Sequence, residues 1–64
     1  MIMEKKRYYI KHINDGFLVR TKSGMPAYIG RFDFSLVWLG THTQAEKKLA
    51  ELGEQYHDMG EILC

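Results

Sequence analysis

FDFSLVWLGTHTQAEKKLAEL, Phe32 to Leu52, carries a strand signal, a stop and a helix start in succession. From Arg31 on, Phe32, Phe34, Leu36 and Trp38 alternate with Arg31, Asp33, Ser35 and Val37, the period of a strand with one apolar face. Gly40 closes that segment. Thr41-His42-Thr43-Gln44 then fits a capping box, with Thr43-Gln44-Ala45-Glu46 as a competing frame. Ala45, Leu49, Leu52, Tyr56 and Met59 recur at helical spacing among polar Glu46, Lys47, Glu51, Glu54 and Gln55. The spacing predicts an amphipathic helix from about Thr43 to about Asp58. Gly53 in its interior costs ~1 kcal/mol relative to alanine, so the helix stops near Gly53 or continues to Gly60. Glu61-Ile62-Leu63-Cys64 is then an extended tail or a short extra strand.

Upstream, residues 7 to 22 read as a β-hairpin. Two runs rich in aromatic and β-branched residues, RYYIKHI and FLVRTK, flank Asn14-Asp15-Gly16. Asp-Gly suits a two-residue type I′ turn, whose central residues need positive φ. That turn pairs Lys11 with Arg20 and Ile10 with Thr21. One face is then Tyr8, Ile10, His12, Phe17, Val19 and Thr21; the other is Tyr9, Lys11, Ile13, Leu18, Arg20 and Lys22, continued by Arg7. A three-residue loop with a bulge offsets the strands instead. Like charges directly opposed, as Lys11 and Arg20 are here, destabilise a sheet unless an anion lies over them. Ser23-Gly24-Met25-Pro26 supplies the next turn.

The fold these signals predict is α+β: one small domain over residues 1–64, a three-stranded antiparallel sheet packed on a C-terminal amphipathic helix, in the order β-β-β-α. Phe34, Leu36 and Trp38 are expected to form the floor of the core and Ala45, Leu49 and Leu52 its lid.

Sixty-four residues with a single cysteine exclude an intrachain disulfide and suit a reducing, cytoplasmic setting. A chain this short buries only ~60% of its unfolded surface, so its core is small. No apolar run approaches the ~18 residues that cross a bilayer, and no membrane partner is expected. The net charge of +1 conceals an asymmetry. Residues 1–31 carry seven Lys and Arg against two acids, +5, whereas residues 32–64 carry two lysines against six acids, −4. A basic half points to a polyanionic partner.

His12, His42, His57 and Cys64 are metal-capable types, but none forms a paired ligand spacing. Neither a metal nor a cofactor is expected. His57 and Asp58, adjacent on the expected helix, point about a hundred degrees apart and make no orienting pair. No catalytic constellation emerges, and the chain is expected to be non-enzymatic. Tyr9 between Arg7 and Lys11 is placed to stack on, or hydrogen-bond to, a phosphate backbone.

Val37 to Ala50, VWLGTHTQAEKKLA, resembles the strand-to-helix junction of the plant ethylene-response-factor type DNA-binding domain, whose signature there is Val-Trp-Leu-Gly-Thr before an Ala/Glu-rich helix. Arm-binding domains of some phage integrases share that architecture. The resemblance implies a three-stranded sheet backed by one helix and laid in a DNA major groove, with Trp38, Leu39 and Gly40 as packing and turn residues. It covers about a fifth of the chain. Tyr8-Tyr9-Ile10-Lys11 stands where the family has Arg-Gly-Val-Arg, so no contact residue is carried over.

The leading expectation is a binding module that engages a nucleic-acid backbone through a basic sheet face of Arg7, Tyr9, Lys11, Arg20 and Lys22. The alternative is a protein-interaction module, such as a phage or mobile-element inhibitor of a host nucleoprotein complex of the CRISPR-effector kind. There the basic face meets an acidic partner, or an acidic helix imitates a phosphate backbone. A homo-oligomer formed through an edge strand or the Ile62-Leu63 tail is a third.

Overall fold

The computed structural model describes residues 6–63; the expectations that fall on Cys64 lie outside the described residues. The fold is α+β, as expected, but the sheet has four strands rather than three, and the helix sits between strands because the C-terminal segment forms the extra strand rather than an extended tail. The element order is β1 (Lys6–His12), β2 (Gly16–Leu18), β3 (Tyr28–Ile29), α1 (His42–Leu52) and β4 (His57–Leu63). The antiparallel sheet runs β3-β2-β1-β4, so the last strand pairs with the first along its whole length, from Lys6 opposite Leu63 to His12 opposite His57.

The hairpin forms with a different turn. His12 lies opposite Gly16 and Lys11 opposite Phe17, leaving Ile13, Asn14 and Asp15 as the loop. The ring of His12 accounts for this choice, since its Nδ1 accepts hydrogen bonds from the amides of Asn14 and Asp15, 3.1 Å each. Gly16, at φ +99°, takes a conformation that L side chains rarely adopt. Relative to the type I′ pairing the strands are offset by an odd number of residues, so every β2 side chain changes face. Leu18 becomes core, at 4% exposure, and Phe17 joins Tyr9 and Lys11 on the far side.

The strand expected over 31–38 is replaced by a turn. Asp33 accepts from both the amide (2.9 Å) and the hydroxyl (2.6 Å) of Ser35, and its carbonyl takes the amides of Leu36 and Val37. A short acidic side chain bonding locally competes with a sheet ladder, and here it wins. Phe34 and Leu36, expected in the core, are 55% and 47% exposed, while Val37, expected outside, is buried. Beyond the turn the chain fills a gap where β1 and β2 diverge. Val37 bridges Val19, and Gly40 exchanges both backbone hydrogen bonds with Tyr8.

The capping box is present in full, with Thr41 as N-cap, Gln44 amide on its hydroxyl and Gln44 Oε1 on its amide. The helix ends at Gly53, whose amide bonds the Leu49 carbonyl, rather than near Asp58. Residues 54–56 turn, and Met59 reaches the core from β4, opposite Ile10. That core comprises fully buried Ile10 and Ala45 with Leu18, against which Tyr8, Tyr28, Trp38, Leu49, Leu52 and Met59 pack. Trp38, Ala45, Leu49 and Leu52 thus keep their expected place. No described helix is long and apolar enough to cross a membrane.

Candidate nucleic-acid interface

All of α1 lies on one side of the sheet, so the other side is left without a covering helix. Strand alternation puts Arg7, Tyr9 and Lys11 of β1 and Phe17 of β2 on this outer face. The Tyr9 ring rests on Gly60 of β4, directly opposite it. A Cβ built there meets the phenol carbon Cζ at 2.2 Å, so only glycine admits the ring.

Around Tyr9 the aromatic rings form a chain. Tyr9 and Phe17 meet edge to face at 5.3 Å between centroids, Phe32 closes on Tyr9 at 5.6 Å and on Phe17 at 5.3 Å, and Phe34 follows on Phe32 at 5.0 Å. Such pairs are worth ~0.5–1.5 kcal/mol beyond burial and fix ring orientation. By alternation Val19 and its bridge partner Val37 fall on the same side, and Val37 is 1% exposed. The outer face therefore has its own thin packed layer. The Asp33–Ser35 turn holds Phe34 at its end, half in solvent.

Cations border that layer. The Lys11 ammonium stands 5.4 Å from the Phe17 ring centre, in place of the expected opposition to Arg20. Arg7 and Lys11 are four residues apart on one strand face, ~13 Å. Arg31, largely exposed, lies 3.6 Å from Asp33. Asp58 is opposite Lys11 on β4 and supplies the local countercharge.

Of the five residues expected to form the basic face, Arg7, Tyr9 and Lys11 come together and Arg20 and Lys22 do not. Arg20 follows the ladder toward Val37, with its amide on the Leu36 carbonyl and its guanidinium donating to the Ser35 carbonyl. It lines an open groove of about 620 Å³ beside Leu18, Trp38, Met25 and Leu52. Lys22 is in the exposed loop before Pro26. Phe17, Phe32 and Phe34 enter the face instead. The first is found by shifting the hairpin register by an odd number; the other two follow from the Asp-x-Ser turn signal.

The remaining chemistry-bearing cluster is on the helix side. His57, 7% exposed, has Nδ1 2.8 Å from the Gly53 carbonyl and Nε2 2.7 Å from the Tyr28 hydroxyl. A carbonyl only accepts, so Nδ1 carries the proton in the neutral ring and Nε2 accepts from Tyr28. His12 packs edge-on at 4.8 Å, its own Nδ1 engaged by the loop amides. These ring nitrogens serve the fold. Among the described residues no three His, Cys, Asp or Glu side chains converge as a metal set.

Comparison with protein-family models, with curated proteins and with solved structures finds no match.

Proposed function

We propose that this protein is a non-enzymatic binding module whose outer sheet face engages nucleic acid. The observation that carries the reading is one surface, free of the helix, on which Arg7 and Lys11 border the aromatic layer of Tyr9, Phe17, Phe32 and Phe34. Positive charge supplies affinity for phosphates, and aromatic surface supplies a contact that water makes poorly.

Phosphate mimicry by the helix loses its support. His42–Leu52 holds Glu46 and Glu51 against Lys47 and Lys48, a balance of zero, since Glu54, Asp58 and Glu61 fall outside it. Docking of the basic outer face on an acidic protein is the surviving form of the alternative.

The test is electrophoretic mobility shift at low ionic strength. Wild type should bind and the double variant Arg7→Glu, Lys11→Glu should not, while Lys22→Glu, off the face, should bind as wild type does. Equal loss in both variants would point to net charge rather than to this surface.

A further inference from the structure

We infer that the nucleic acid this face takes is single-stranded, with a base stacked on Phe34. The inference rests on the nucleic-acid reading above and adds the strandedness and the stacking residue.

The argument begins from the rings. Tyr9, Phe17 and Phe32 pack edge to face on one another, and through Phe32 they form a fixed base for Phe34. Phe34 is different in kind: 55% exposed, it is held from one side by Phe32 at 5.0 Å and by the Asp33–Ser35 turn beneath it. An exposed ring in a fixed orientation gains little from a duplex, whose bases are stacked inside and which offers it only phosphate, sugar and groove edges. An unpaired base has a free face of the right size and polarity.

Charge points the same way. The cations bordering the layer are Arg7, Lys11 and Arg31, with Asp58 and Asp33 beside them. Such a set neutralises few phosphates, which is thin for a duplex backbone but adequate when stacking carries part of the affinity. With three phosphate contacts on a single strand, the slope of log affinity against log salt should be about −2. Arg7 and Lys11 stand along β1, and Arg31 lies in the segment that carries Phe32 and Phe34.

The experiment is fluorescence anisotropy with labelled oligodeoxythymidine, oligouridine and a mixed-sequence DNA strand, alone and annealed to its complement, each of about twelve nucleotides. Single strands are expected to bind at least about tenfold more tightly than the duplex. Phe34→Ala should lower single-strand affinity about tenfold or more, leave the salt slope unchanged, and be rescued in large part by Phe34→Trp. Being exposed, Phe34 can be removed without opening the core, and circular dichroism checks that. Lys11→Gln should instead flatten the slope by roughly 0.7. Duplex binding equal to or tighter than single-strand binding, with Phe34→Ala silent, would overturn the stacking inference and leave the backbone reading standing. Absence of binding to any of these probes at low salt would overturn both.

Discussion

The Tyr28 hydroxyl donates to Nε2 of His57 across 2.7 Å, joining β3 and β4, the two opposite edges of the sheet. The contact passes beside the His12 ring, whose centroid is 5.3 Å from that of Tyr28 and 4.8 Å from that of His57. Tyr28→Phe keeps the ring and removes the donor, leaving a buried imidazole nitrogen unpaired. That costs ~1–3 kcal/mol. In urea unfolding the midpoint should fall with the m-value unchanged; an unaltered midpoint would mean that the hydrogen bond adds nothing to the fold.

Burial pushes the Tyr28 phenol above its ordinary value, and the Asp15 carboxylate adds to the shift. The group is therefore harder to ionise folded than unfolded. Its contribution is fully present below the unfolded value of about 10 and is lost as pH rises through the higher folded value. Stability followed by circular dichroism from neutral to strongly alkaline pH should decline above about pH 10. Tyr28→Phe should weaken that dependence, and an identical alkaline limb in both proteins would contradict the assignment.

Asp33 titrates in the opposite sense. The Ser35 hydroxyl and then the Ser35 amide, with a smaller pull from Arg31, hold its carboxyl below the usual carboxylate range. The turn is therefore intact above the ordinary value of about 3.9 and opens as pH falls through the lowered one. The Ser35 amide proton, followed by NMR, should shift with a midpoint below about 3.9, and Asp33→Asn should abolish that titration. Since this turn holds Phe34, the same variant should weaken single-strand binding.

Gly60 offers a mechanical test of the outer layer. In Gly60→Ala the new methyl occupies the space of the Tyr9 phenol, forcing the ring away from Phe17 and Phe32. Overpacking of this kind costs ~1–3 kcal/mol. The variant should lose stability in urea and lose affinity for nucleic acid together. Loss of stability with affinity retained would show that Tyr9 and its neighbours are only packing.

What was legible in the sequence was what depends on near neighbours. The parity of β1, with Tyr8 and Ile10 inward and Tyr9 and Lys11 outward, follows from simple alternation and is observed. So is the Thr41–Gln44 capping box, whose partners are three residues apart. The hairpin register was not legible because it turns on the His12 imidazole capping its own loop, which competes with the Asp-Gly turn. Residues 31–38 alternate as a strand does, yet Asp33 and Ser35 spend their hydrogen bonds locally, and the alternation then misassigns Phe34, Leu36 and Val37.

The last strand is the clearest case of a long-range contact overriding a local pattern. His57-Asp58-Met59-Gly60-Glu61-Ile62-Leu63 has neither face uniformly apolar, and Tyr56 and Met59 fit helical spacing as well as any other. What makes it a strand is β1, some fifty residues earlier, together with Gly53, which ends α1 before it. For the proposed face the consequence is mixed. Arg7, Tyr9 and Lys11 share one side of the sheet by the alternation of a single strand, whereas Arg20, placed by the hairpin register, goes to the Ser35 carbonyl instead.

The central claim, that the outer face binds nucleic acid, is tested most directly by titrating a labelled single strand with wild type and with Arg7→Glu, Lys11→Glu, at two or more salt concentrations. Wild type should bind at low salt with affinity falling as salt rises, while the double variant, folded by circular dichroism, should show no binding. Equal binding by both proteins, or affinity in wild type that does not change with salt, would contradict it.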